Sequence, residues 1–218
     1  MRGECYMCNA AAVTKEHVPP RSFFPAGLRT GAVTVPSCVR HNLGNSNDVE
    51  YVRNVISTQH GVNDAAAEVF EVTKRSFDLS PRLMSRTFRD VRPISIDGDE
   101  TGAFTIDLQR HRRVMRAIAY GLYFHYFGRK HHGDWQIFTP SFRHKASVYS
   151  GRPDPWDGFR ALLESGHYVP LSVPHPAVFN CGAFQMEHGQ MMFRLTFYER
   201  VVVNAWTQFR AFVQWSRN

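Results

Sequence analysis

The sequence predicts an α+β protein, with a small metal-stapled unit at the N-terminus and a larger body of helices and antiparallel strands behind it. Three observations carry that reading. Four metal-ligand side chains fall in two close pairs, Cys5-x-x-Cys8 and Cys38-x-x-His41, with 29 residues between the pairs. A long helical pattern covers roughly residues 107–127. The last fifth of the chain alternates apolar and polar residues as strands do.

Residues 1–45 are rich in turn formers. Pro19-Pro20, Pro25, Gly27, Gly31 and Pro36 leave room only for short strands, of which Val33-Thr34-Val35 is the best candidate. Asn47-Asp48-Val49-Glu50 has the form of a capping box, and the helix it opens carries Val49, Val52, Val55 and Ile56 on one side up to about Gln59. Past His60-Gly61 the character changes, so the chain divides into residues 1–60 and a body at 61–218. Helices are expected over about 62–76 and 81–90. A hairpin follows, pairing Pro93-Ile94-Ser95-Ile96 with Ala103-Phe104-Thr105-Ile106 around Asp97-Gly98-Asp99. The long helix at 107–127 sets Arg112, Arg113 and Arg116 opposite Leu108 and Met115, and its second half, 117–127, is apolar nearly all round and predicts burial. A shorter helix is expected at 156–164, then strands at 178–186 and 191–203 around a turn at His188-Gly189.

Composition narrows the function classes. At 43% hydrophobic and 13% aromatic residues, the chain can bury a sizeable core and is not disordered. Its first residues, Met1-Arg2-Gly3-Glu4-Cys5, have no apolar run of a signal peptide, and no stretch approaches the ~20 apolar residues of a membrane span. A soluble cytoplasmic protein is the expectation. In a reducing compartment Cys5-x-x-Cys8 reads as a metal pair rather than a disulfide, and the fourth cysteine, Cys181, as a small buried apolar residue.

Zinc prefers a tetrahedron of Cys and His, and two residues between paired ligands let both side chains of a knuckle face one ion. Cys5, Cys8, Cys38 and His41 are therefore expected to hold a structural Zn²⁺ that supplies folding free energy to a unit too small to be secure alone. Between the pairs lie Glu16 and His17, and directly after them Asn42. Such groups suit phosphodiester hydrolysis, which needs a base near neutral pH and hard oxygen ligands for a cation such as Mg²⁺. Consecutive strand residues point oppositely, so Glu16 and His17 can serve together only where the strand ends or bends.

The segments C-Y-M-C, T-K-E-H-V-P-P-R-S and V-T-V-P-S-C-V-R-H-N resemble the HNH endonucleases of the ββα-metal (treble-clef) group over about residues 5–57. The resemblance implies His17 as general base and a catalytic divalent ion, Mg²⁺ or another, held by Glu16 and Asn42. His41 stands where many members carry cysteine. Two positions depart from the pattern: Val33 replaces a middle asparagine, and Asn45 stands where a lysine is frequent. Asn45 reads equally as a further ligand of that ion or as a helix-end residue.

The formal charge is +7, and residues 108–145 alone hold eight Lys/Arg against one acid, Asp134. A concentrated basic stripe is the footprint of a polyanion, most simply DNA, and equally the look of a solvated helix face. Arg112, Arg113 and Arg116, with Arg40 between two zinc ligands, are the candidate nucleic-acid contacts. His131, His132 and His144 show no ligand spacing and read as solvated. Two other readings stay beside the nuclease: a zinc module that only binds nucleic acid, and a component whose C-terminal body, including residues 209–215, recognises a protein.

Overall fold

Pro19 and Pro20 lack amide hydrogens, and that alone ends the first strand early. The computed structural model describes residues 3–142, 168–185 and 190–207. It opens with an antiparallel pair, β1 (Thr14–Val18) against β2 (Val33–Ser37), in a register that sets Glu16 opposite Val35 and His17 opposite Thr34. One helical turn, α1 (Val39–Asn42), and a short 3-10 turn lead into α2 (Ser46–Ser57). Next come α3 (Asp64–Leu79) and α4 (Pro81–Thr87). The hairpin β3 (Arg89–Ile96) and β4 (Asp99–Thr105) turns through Asp97 and Gly98, both at positive φ (53° and 94°), as a two-residue hairpin loop requires.

The long helix α5 (Leu108–Phe127) is capped at both ends. Asp107 accepts from the amides of Gln109 and Arg110, and Gly128, at φ 64°, closes the other end in the left-handed conformation. After it, β5 (Trp135–Phe138), β6 (Tyr168–Leu171), β7 (Phe179–Gln185), β8 (Met191–Phe197) and β9 (Val201–Thr207) form one antiparallel sheet in the order β5-β9-β8-β7-β6. The chain is thus a mixed α+β protein. Among the described residues no helix is long and apolar enough to cross a membrane.

Among the described residues a hydrophobic core draws on both sides of position 60. It joins Tyr6, Val35 and Ile56 to Met115 and Leu122 of α5 and to Phe193, Leu195 and Val203 of the large sheet. The helix α5 meets α2, β1 and β2 as well as β5 and β9. It approaches β1 closely at Gly121, where a Cβ would lie 2.5 Å from a methyl of Val18.

Several sequence expectations need correction. The capping box at Asn47 does not form: α2 starts after Asn45, which makes no side-chain cap, and Asp48 instead bonds to two arginines of α5. The stretch 191–203 is two strands, because Tyr198 and Glu199 turn the chain at φ 51° and 60°. Neither residue signals a turn, and Tyr198 holds the position by donating its buried hydroxyl to the Phe23 carbonyl at 2.7 Å. In the second half of α5, Ile118, Ala119 and Leu122 are buried while His125 and Phe127 are exposed. His131 packs among Tyr123 and Trp135, with ring centroids 5.1 Å from each, rather than in solvent. Cys181 is buried as expected, and burial pushes its thiol up to about 12. The helix expected at 156–164, the turn at His188-Gly189, Arg143, His144, Lys145 and residues 209–215 lie outside the described residues.

The Gly121 contact generates a prediction. Gly121→Ala should destabilise the protein by about 1–3 kcal/mol, the usual scale of overpacking in a core. Val18→Ala in the same chain should return part of that loss, since the two positions share one contact. Thermal melts of the two single variants and the double variant measure the coupling, and purely additive effects would place the clash elsewhere.

Candidate metal centres and active site

The first knuckle is a tight loop pinned by the backbone. The Cys5 amide donates to the Ala10 carbonyl at 2.9 Å, and the Tyr6 amide to the Pro36 carbonyl of β2 at 2.8 Å. The second pair follows directly from β2. In the single turn of α1 the amides of His41 and Asn42 both donate to the Cys38 carbonyl, which brings Cys38 and His41, three residues apart, onto one side.

These two pairs converge. The ligand atoms of Cys5, Cys8, Cys38 and His41 lie within 4.8 Å of one another. His41 Nδ1 is 3.4 Å from the sulfur of Cys5 and 3.5 Å from that of Cys38, and the sulfurs of Cys8 and Cys38 are 3.9 Å apart. A tetrahedral zinc with ordinary bond lengths needs sulfurs about 3.8 Å apart and sulfur–nitrogen pairs about 3.6 Å apart. The cluster could hold a metal ion and is compatible with structural zinc.

The electrostatics favour thiolate at two of the ligands. Burial works against ionising Cys5, yet the amides of Met7, Cys38 and Cys8 and the His41 ring hold its thiol below the ordinary value. At Cys38 burial is likewise outweighed, first by the His41 amide and then by the neighbouring cysteines. Lys130 clamps the first knuckle to the body, bonding to the Glu4 carboxylate, to the Cys8 carbonyl at 2.9 Å and to the Asn9 side chain at 3.3 Å.

Beside the cluster lies a small cavity of about 20 Å³, room for one water or a bare ion. Glu16 and His17 both line it, together with Tyr6, His41 and Asn45, while Val49 of α2 and Val114, Ala117 and Ile118 of α5 form its apolar wall. The strand β1 stops one residue after His17, and both consecutive residues, Glu16 and His17, line the cavity near the strand's end.

Glu16 is the unusual group here. Its Oε2 is buried with no hydrogen-bond partner, and no cation pairs with it among the described residues. Burial raises this carboxyl to about 7. An ionised carboxylate in such a place needs a cation, and with the amide oxygen of Asn45 it offers the hard donors that Mg²⁺ and similar ions take. His17 is held below its ordinary value, first by burial and then by the positive charge of Arg21, which favours the neutral imidazole.

The other expected site residues lie apart from this cavity. Asn42 donates its amide to the Thr14 hydroxyl at 2.9 Å and the Lys15 carbonyl at 3.2 Å, which fastens α1 to β1. Arg40 and Arg112 are exposed and form no ion pair among the described residues. Arg113 bonds to Asp48 at 2.7 Å, as does Arg110, and Arg116 donates to the Trp135 carbonyl at 2.8 Å. Tyr6 has no place in the ligand spacing, because nothing in a knuckle's two intervening residues marks which side chain turns inward.

Compared with known protein families, with curated proteins and with solved structures, the chain matches none. The chemistry of the site therefore rests on its own residues.

Purified without chelator, the protein should carry one zinc per chain. Cys8→Ser and Cys38→Ser should lose the metal together with the fold of the N-terminal residues, because a structural ion contributes folding free energy directly. His17→Ala should keep both. Metal analysis beside circular dichroism checks this, and a wild type free of zinc would overturn the assignment.

Proposed function

We propose that the chain is a metal-dependent endonuclease of the HNH type that hydrolyses phosphodiester bonds in DNA. One observation carries the reading: a buried carboxylate oxygen of Glu16 without a partner, beside the neutral imidazole of His17, on a scaffold fastened by four soft metal ligands. Ligand pairs before β1 and after β2, with the helical segment following, are in the order of a ββα-metal (treble-clef) unit. A zinc module that only binds would leave the unpaired Glu16 without an explanation.

In this mechanism His17 takes the proton of the attacking water, and the water oxygen bonds to phosphorus as the 3′ oxygen departs. Arg21 and burial keep the imidazole free to accept that proton. Glu16 and Asn45 would hold a divalent ion, which would supply the positive charge that the phosphate and the departing oxygen require. Asn42 acts at one remove, keeping α1 and its ligand His41 against the strand that bears the base. The apolar wall from α5 gives residues beyond 60 a share in the site.

His17→Ala should slow cleavage of plasmid DNA by on the order of 10²-fold or more, the scale of a positioned general base. Glu16→Ala should be rescued in part by extra Mg²⁺ or Mn²⁺, and EDTA should stop the wild type. A fully active His17→Ala protein would end the proposal.

The arginines separate into two groups with different expected effects. Replacing Arg40 and Arg112 with Gln should lower the log–log salt slope of DNA binding by about two units, one for each phosphate contact, with melting unchanged. Arg116→Gln should cost about 1–2 kcal/mol of stability, because a charged donor to the Trp135 carbonyl is lost, and should leave the slope alone. Binding isotherms at several salt concentrations, read beside thermal melts, distinguish the groups.

A further inference from the structure

Between Ser80 and Ile96 the chain carries Arg82, Arg86, Arg89 and Arg92 against one acid, Asp90. All four arginines are exposed, and none forms an ion pair or hydrogen bond among the described residues. Arg29, Arg53, Arg110, Arg113, Arg116 and Arg200, by contrast, each bond to an oxygen of the fold. The backbone sets two of the free arginines side by side. In a regular strand, residues three apart point to opposite faces. Here Arg89 pairs with Thr105 and Arg92 with Ala103, three steps on β3 against two on β4. The extra residue is a bulge with Asp90 at φ 55°, a conformation rare for a residue with a side chain, and it returns Arg92 to the face of Arg89. Phe104, between Ala103 and Thr105, turns to the opposite face and packs edge-on against Phe88, which also meets Phe77 of α3 (ring centroids 4.7 and 5.5 Å). The corner from α4 into β3 is thereby anchored from behind. On α4, where Thr87 is the buried residue, Arg82 and Arg86 stand one turn apart.

We propose that this α4–β3 corner is a second DNA-binding surface, with Arg82, Arg86, Arg89 and Arg92 on the phosphates of the duplex that the candidate site cuts. This rests on the nuclease reading and deepens it, by naming the part of the body that holds the substrate. One helical turn is about 6 Å, and two strand steps are about 7 Å. Each spans about two phosphates of one DNA strand, which rise about 3.4 Å apiece. Contacts of this kind position a duplex without reading its sequence. Arg89 lies near the start of α5, the helix that bears Arg112, because its charge and that of Arg110 act on the same Tyr51 phenol, whose oxygen accepts the Asp107 amide. The far end of the hairpin is acidic, at Asp97, Asp99 and Glu100, and repels a polyanion. The duplex therefore lies across the corner and not along the hairpin.

The test uses the full-length zinc-loaded chain carrying His17→Ala, so that a short mixed-sequence duplex is bound and not cut, at several salt concentrations. Arg82→Gln, Arg86→Gln, Arg89→Gln and Arg92→Gln combined should lower the log–log salt slope by about three to four units, about one for each phosphate contact. Zinc content and melting should be unchanged, since the four side chains bond to nothing in the fold. The same four positions changed to Lys should keep the slope, because counterion release counts charges. Arg129→Gln, which removes an exposed charge just past the other end of α5, should leave the slope alone. A wild-type slope in the combined Gln variant, in a protein whose His17 form cuts plasmid, would overturn the role of the corner and leave the nuclease reading standing. A lowered slope in a protein whose His17 form cuts nothing with Mg²⁺ or Mn²⁺ would overturn the nuclease reading and leave the corner as a DNA-binding surface. Failure of Lys to keep the slope, an equal loss per charge in Arg129→Gln, or early melting of the combined Gln variant would each overturn the proposal.

Discussion

A helix with apolar residues on opposite sides must find two partners, and α5 meets that demand by lying between the metal-bearing strands and the five-stranded sheet. Met115, Ile118 and Leu122 are buried, and the contacts of the helix extend to β1 and β2 in one direction and to β5 and β9 in the other. One close contact, Gly121 against Val18, seats the helix against the residue that follows His17. The cavity exists because of this placement. Its apolar wall is α5, its polar rim is β1 and the turn after α1, and neither part of the chain encloses it alone.

Polar groups around that helix obey two different rules. Along its outer edge charges are matched: Asp48 receives Arg110 and Arg113, Arg110 also covers the Tyr51 ring at 4.3 Å, and Arg116 finds a carbonyl. Partly exposed pairs of this kind contribute at most about 1 kcal/mol each, so they align the helices more than they stabilise them. Within the cavity the rule reverses, and Glu16 and Tyr6 are buried without partners. Glu16 is the one carboxylate among the described residues whose buried oxygen is left without a partner. Perturbed groups gathered in a cleft are the physical mark of a functional site.

How much of this was legible follows from the range of each interaction. The four soft ligands are readable because their pairs are local and zinc imposes the spacing. Helix α5 is readable because its pattern of apolar and basic residues runs at helical spacing over twenty residues. Glu16 and His17 are marked by residue type and by the proline pair behind them. The stripe at Arg112, Arg113 and Arg116 is visible as charge, but the Asp48 that takes up Arg113 lies 65 residues away. The inward turn of Tyr6 depends on the strand its amide bonds, and the turn at Tyr198 on a carbonyl at Phe23, 175 residues distant. Short strands such as β5 and β6, at four residues each, carry too little alternation to stand out.

The two candidate metal positions differ in donor chemistry, and the difference keeps them separate although they share a wall. Three thiols and an imidazole select a soft or borderline ion, whereas a carboxylate and an amide oxygen select a hard one. His41 belongs to both, as a ligand of the cluster through Nδ1 and as part of the cavity's lining. An ion bound at the cluster would fix its position, and the backbone of α1 would carry that fixity to Asn42 and, three residues on, to Asn45. Tyr6 brings the same constraint from the other knuckle. The cavity is therefore bounded on two sides by groups next to the cluster, so an ion bound at the cluster would also order the cavity, and its loss would disturb the cavity before any residue lining it was changed.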